Sequence, residues 1–297
     1  MRLYFAGARH RVYHAYIRER GGHFLLSYVN ERTPLERLFS EGAREIFVDS
    51  GAFTAHRKGI EIDCDAYCDF LNTHEAHIGI AAQIDTIPGR FGEKKTPQQL
   101  ADAPRLSWEN YTYMRGKIVR PDLVLSIFHQ GEDFYWLENM LAERVPYIGI
   151  SPANDRTEVQ KEAWMARCWQ KIERSMHPDV KTHAFGMTNV RLLEQFPFTS
   201  ADSTTWLINA VYGAIMTSYG IVSISERKQL VNPAHLLNQS KAIQDKVREE
   251  IEAKGTTLET LQQSLSARVY FNVDFFIAWE KNYQLKRKPQ MQRLLWV

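Results

Sequence analysis

The sequence predicts a closed (β/α)8 barrel, and three observations predict it. Eight short apolar runs recur along the chain, segments of helical length separate them, and no GxGxxG turn follows the first run. The first half holds RLYFAG from Arg2, HFLLSYV from His23, EIFVDSG from Glu45 and GIAAQID from Gly79. The second half holds LVLSIFHQG from Leu123, YIGIS from Tyr147, KTHAFG from Lys181 and FTSADS from Phe198. Continuous apolar strands alternating with helices imply parallel pairing with both sheet faces buried, and eight such units favour closure. The competing architecture is an open doubly wound sheet. It more often carries a glycine-rich phosphate turn after its first strand, whereas the first turn here reads AGARHR.

Between the strands, YCDFLNTHEAHI from Tyr67 and FYWLENMLAERV from Phe134 read as amphipathic helices, the latter with Trp136, Met140 and Leu141 at helical spacing. Beyond about Ser225 the pattern becomes polar and helical, through QSKAIQDKVREEIEAKG and TLETLQQSLSARVYFNVDFFIAWEKNY to a basic end, LKRKPQMQRLLWV. The expected organisation is therefore a barrel over 1–224 and a basic helical extension packed on it over 225–297. In that extension Lys281, Lys286, Arg287, Lys288 and Arg293 are either a solvated face or phosphate contacts. Tyr270, Phe271 and Trp279 offer packing or stacking surface.

Composition sets the outer bounds. At 297 residues, 44% hydrophobic and 24% charged, the chain excludes a disulfide miniprotein, wholesale disorder and collagen-like repeats. Thirty-seven Lys and Arg against 35 Asp and Glu leave +2, so a polyanionic partner would have to meet a local basic patch. Three cysteines, Cys64, Cys68 and Cys168, are too few for a secreted disulfide framework and fit a reducing compartment. MRLYFAGARH lacks the apolar core of a signal peptide, and no run approaches a membrane span, so a cytoplasmic, membrane-free protein is expected.

In a barrel of this kind chemistry sits at the C-terminal strand ends. Three of those ends carry an aspartate: Asp49 closes EIFVD, Asp85 closes IAAQID, and Asp202 follows FTSA. A strand-end Asp can simply cap the next helix. Three at one mouth argue for chemistry, because partly buried carboxylates repel and raise one another's pKa unless a reaction or a cation uses them.

The motifs around these residues resemble the queuine/archaeosine-type transglycosylases, and more closely their phage and bacterial relatives that insert 7-deazaguanines into DNA. VDSGAF at 48–53 is similar to the family's DSGGF-type segment, with Ala52 in place of its second glycine. HQG at 129–131 resembles its QGG-type base-binding turn, YIGIS its IGG segment, and HAFGM at 183–187 its late glycine-containing strand. ADSTTW then occupies the nucleophile strand.

The resemblance implies base exchange at C1′ of a nucleoside. Asp202 matches the nucleophile, which forms a covalent glycosyl-aspartate, and Asp49 the general acid/base. Asp85 matches the residue that reads the guanine edge, while Gln130, the Gly131 backbone and Gly186 match base-binding positions. His129, beside Gln130, reads as structural rather than as a proton shuttle. Phe53 is either a stacking surface for the purine or a core residue, and Arg57 and Lys58, placed on the loop after the third strand, either phosphate contacts or a solvated loop. Because C1′ is inaccessible inside a duplex, the nucleotide would be flipped out or single-stranded.

The chain also departs from this family. The tRNA enzymes carry zinc on three closely spaced cysteines and a later histidine, and nothing here reproduces that set. Cys64 and Cys68 with His74 or His77 could hold zinc on paper, but they read as small buried hydrophobes, and no metal or other cofactor is expected. The expected co-substrate is a free 7-deazaguanine, and the expected partner is DNA, with an accessory protein an open option. The host cytoplasm is the expected location for a phage-encoded form. Three alternatives stay open: a tRNA-guanine transglycosylase, a barrel N-glycoside hydrolase, and a non-catalytic nucleic-acid-binding protein.

Overall fold

Apolar runs of four to six residues flanked by helices pair in parallel because only a sheet covered on both sides removes both of their faces from water. In the structure, a computed structural model that describes residues 1–187, 189–226 and 232–286, eight such strands close into a barrel in sequence order. They are β1 (Arg2–Ala6), β2 (His23–Ser27), β3 (Ile46–Asp49), β4 (Ile78–Ala82), β5 (Val124–His129), β6 (Tyr147–Ser151), β7 (Lys181–Ala184) and β8 (Ser200–Ser203). Each is parallel to the next, and Arg2 N–H donates to Thr199 O at 2.9 Å where the last meets the first. The fold is a (β/α)8 barrel, as the sequence predicts.

Helices follow the strands along the chain: α1 (Arg11–Glu19), α2 (Arg32–Ser40), α3 (Ala52–Lys58), α4 (Cys64–Thr73), α5 (Pro97–Lys117), α6 (Phe134–Ala142), α7 (Glu158–Glu173), α8 (Val190–Leu193) and α9 (Thr205–Val211). Two of them open on reciprocal capping boxes, Thr96 with Gln99 for α5 and Thr157 with Gln160 for α7, which satisfy N–H groups the first turn leaves free. Inside the barrel, Tyr4, Leu25, Phe47, Ile80, Leu125, Ile127 and Tyr147 form the packed core. Phe47 meets Tyr4 edge-on at 5.5 Å and the His183 ring at 4.7 Å, so the floor beneath the strand ends is aromatic and dry. Burying each such large side chain contributes about 1.5–3 kcal/mol.

Two compact units emerge. Among the described residues, one comprises 1–6, 23–202 and 284–286, and the other 7–22 and 203–283. The second unit gathers α1, α9, an antiparallel hairpin of β9 (Ala214–Thr217) and β10 (Gly220–Ser223), and three late helices, α10 (Lys241–Ala253), α11 (Leu258–Gln263) and α12 (Leu265–Lys281). Its core is Ile215, Val222, Ile224, Leu236, Val247, Ile251, Leu261 and Phe271. Asp274 on α12 binds Tyr16 and Arg20 of α1, at 2.8 and 2.6 Å, and the Tyr16 and Tyr270 rings stack at 3.9 Å. Tyr270 and Phe271 are therefore packing residues. No helix among the described residues is long and apolar enough to cross a membrane.

Candidate active site

All three aspartates lie at or just beyond the C-terminal ends of barrel strands, and none is the N-cap of the helix that follows it. The N-caps of α3, α5 and α9 are Gly51, Thr96 and Thr204. Asp49 is the last residue of β3 and Asp202 belongs to β8, whereas Asp85 lies three residues beyond the end of β4 rather than closing it. Asp49 feels the charge of both of the others. The Asp49 carboxyl is pushed up to about 7 by burial and by the negative charge of Asp202, with Glu31 and Asp85 adding to it and the Gly51 hydrogen bond opposing it.

Asp49 is aimed by the turn that follows it. Gly51 N–H donates to Asp49 Oδ2 at 3.0 Å, from a left-handed residue with φ of 84°. A Cβ at this position would lie 2.5 Å from Ser27 Oγ and 2.8 Å from Val29 Cβ. Only glycine satisfies both the conformation and the space. Gly51→Ala is therefore expected to lower stability by about 2–4 kcal/mol, read as a drop in the urea midpoint, because strain and overlap act together. A midpoint equal to that of the native protein would show that this turn does not hold Asp49.

Asp202 is 7% exposed and receives two N–H donors on one oxygen. Gly186 N–H donates to Oδ1 at 2.7 Å, and His183 Nε2 lies 3.2 Å from the same atom. Gly186 can turn its amide toward β8 because it adopts φ of 56° in the turn after β7. Behind His183 the chain continues inward: its Nδ1 meets Ser200 Oγ at 2.6 Å, and Ser200 Oγ meets the Tyr147 hydroxyl at 2.6 Å. Burial lowers the His183 pKa, although Asp202 pulls the other way, so the ring is neutral.

Asp85 is held by a different set. His129 Nε2 lies 2.6 Å from Asp85 Oδ2, and Ser107 Oγ donates to Oδ1 at 2.8 Å from α5. The same serine accepts from Thr86 N–H at 2.8 Å, so α5 positions the whole turn. Burial opposes ionisation of Asp85, but the His129 charge and these hydrogen bonds outweigh it and hold the carboxyl below its ordinary value. Burial likewise opposes charge on His129, yet Asp85 and Glu132 raise it to about 9, so the imidazolium persists at neutral pH. Glu132, which accepts from His129 N–H at 3.0 Å, is pushed up to about 7 by burial, against the pull of His129.

The remaining residues singled out in the sequence divide. Gln130 spends its side chain on the loop after β6 and the first turn of α7, accepting from Ala153 N–H at 3.1 Å and donating to Gln160 O at 3.3 Å. Gly131 follows it with φ of 115°. Phe53, on the first turn of α3, is 60% exposed, which removes the core reading. Arg57 and Lys58 are exposed but end α3 instead of lying on a loop, and Lys58 donates to Asn30 Oδ1 at 3.0 Å. Lys286 pairs with Glu194 at 3.0 Å. Arg287, Lys288 and Arg293 lie outside the described residues.

Cys64 and Cys68 occupy the outer helix α4, and the His74 and His77 rings pack on Phe39 at 4.7 and 5.2 Å. Among the described residues no three His, Cys, Asp or Glu side chains are grouped as metal ligands. No protein-family model matches the chain, and no curated protein matches it significantly. The geometry alone thus speaks for the site. Sequence reasoning missed Ser107, Glu132, Ser200 and Tyr147 altogether, and took His183 only as part of a motif. An apolar strand carrying a histidine flanked by small residues, KTHAFG, was the one available signal for His183.

Proposed function

We propose that the protein exchanges guanine in DNA for a 7-deazaguanine through a covalent glycosyl-aspartate on Asp202. The observation that carries this reading is the pairing of unlike carboxyls at one barrel mouth. Asp49, with a pKa raised to about 7, retains a proton beside an Asp202 whose Oδ1 is held by N–H donors. One can give a proton while the other gives an electron pair.

In the first step an Asp202 oxygen bonds to C1′ as the C1′–N9 bond breaks, and Asp49 delivers its proton to the departing guanine. In the second, the incoming 7-deazaguanine loses its N9 proton to the Asp49 carboxylate and attacks C1′ from the face guanine left. Asp202 is released and the sugar keeps its configuration. Asp85, ionised and anchored by His129 and Ser107, still has lone pairs for the N1–H and amino donors of a guanine edge, which adenine does not present together. Phe53, exposed two residues beyond Gly51, offers a ring for stacking, and Arg57 and Lys58 offer charge to phosphate. The Gly131 backbone and the amide hydrogen of Gln130 that makes no bond to Gln160 would meet the base carbonyl.

The test is mass spectrometry of nucleosides from duplex DNA, single-stranded DNA and tRNA incubated with the purified protein and several free 7-deazaguanines. The expected result is a 7-deazaguanine nucleoside in DNA with one guanine released for each one formed. Abasic sugar without incorporation would establish a hydrolase, and incorporation confined to tRNA would move the substrate. Nucleic acid left unchanged throughout would end the catalytic reading.

A further inference from the structure

The hydrogen-bonded chain behind Asp202 has only one arrangement of protons that satisfies all of its members. A carboxylate oxygen accepts and cannot donate, so the proton between Asp202 Oδ1 and His183 belongs to Nε2. A neutral imidazole carries one N–H, so Nδ1 is an acceptor, and the partner 2.6 Å away, Ser200 Oγ, must donate to it. Ser200 has then used its only proton and must accept from the Tyr147 hydroxyl at 2.6 Å. His183 and Ser200 are 0% and 1% exposed and Tyr147 is 7% exposed, so water does not compete for these bonds. Both donors that reach Asp202, His183 Nε2–H and Gly186 N–H, fall on Oδ1. Among the described residues none donates to Oδ2.

We infer that His183 is a positioning residue, locked by Tyr147 and Ser200 as its Nε2–H tautomer, which fixes Oδ1 of Asp202 and leaves Oδ2 as the oxygen that attacks the sugar. This rests on the glycosyl-aspartate reading for its catalytic half, but the tautomer is a property of the free protein. Breaking the lock at Ser200 would let the ring take the Nδ1–H form, turning an Nε2 lone pair toward the carboxylate. The nucleophile would then face repulsion where it now has a donor, and it would swing away from its productive direction. Substrate binding would be untouched, because none of the three residues reaches the mouth.

Two measurements test it. In protein labelled with 15N-histidine, long-range 1H–15N correlation near neutral pH should show His183 with a protonated Nε2 and a bare Nδ1, and Ser200→Ala should disturb that pattern. In single-turnover formation of the DNA adduct, His183→Leu is expected to lose about 10²-fold and Ser200→Ala about 10-fold in rate, with KM for DNA within about twofold. His183→Gln, whose amide N–H can replace Nε2–H, should recover to within about fivefold of the native rate. An Nδ1–H or doubly protonated His183 in the native protein would overturn the inference, as would native rates in both Ser200→Ala and His183→Leu, or a loss carried entirely by KM. If the native protein forms no adduct, the proposed function fails by itself, and the tautomer spectrum still decides the lock.

Discussion

Asp202→Asn is expected to abolish trapping of a covalent DNA adduct and to lower base exchange by at least about 10⁴-fold, while leaving the barrel close to native stability. The asparagine is the sharper variant for a physical reason. Its amide oxygen can still accept from Gly186 N–H and from His183 Nε2, so the two contacts at 2.7 and 3.2 Å survive. What disappears is the second oxygen and its charge, which is the electron pair that bonds to C1′. Asp202→Ala should be equally inactive, but it strands both buried donors at about 1–3 kcal/mol each and should therefore melt earlier. Circular dichroism and urea midpoints separate the two effects. Exchange by Asp202→Asn within about tenfold of native would assign the nucleophile elsewhere.

The barrel was legible because its signal is local and repeated. Runs such as IFVD, VLSIF and YIGIS are buried on both faces, so each announces a strand without reference to any other. What was not local was not read. The assignment of α1 to the second unit depends on Tyr16 and Arg20 meeting Asp274, residues separated by 258 and 254 positions. The β9–β10 hairpin turns through Ser218 and Tyr219, a pair without the Asn-Gly or Asp-Gly signature that would have betrayed it.

The site shows the same division. Aspartates after apolar runs stand out in a barrel sequence, because strand ends are where barrel chemistry sits and three of them together exceed what helix capping needs. The groups that tune them are set by register and by turns. His183 faces Ser200 because β7 pairs with β8 in that register, and a slip of one residue would point the ring into the opposite layer. His129 read as structural because its partner, Asp85, sits beyond the end of β4, in a turn held by Ser107. No spacing along the chain encodes either meeting.

Asp49→Asn should slow adduct formation by about 10²–10⁴-fold and erase a descending limb in the pH profile of the native protein. The limb follows from the sign of the shift. Asp49 is moved from 3.8 to about 7, so it is the acid form that declines as pH rises through 7, and with it the capacity to protonate the departing guanine. The single-turnover rate of the first step should thus fall about tenfold per pH unit above that point. The same shift marks stability. The unfolded chain releases the Asp49 proton near pH 4 while the folded protein keeps it to about 7, so native stability declines across that window and levels off above it. Asparagine binds no proton in either state. Relative to the native protein, the urea midpoint of Asp49→Asn should therefore rise between about pH 4 and about pH 7 and stay parallel beyond. Parallel midpoints throughout would mean that Asp49 ionises normally in the fold. The acid would then have to be sought in Glu132, the other buried carboxyl at the mouth that is raised to about 7.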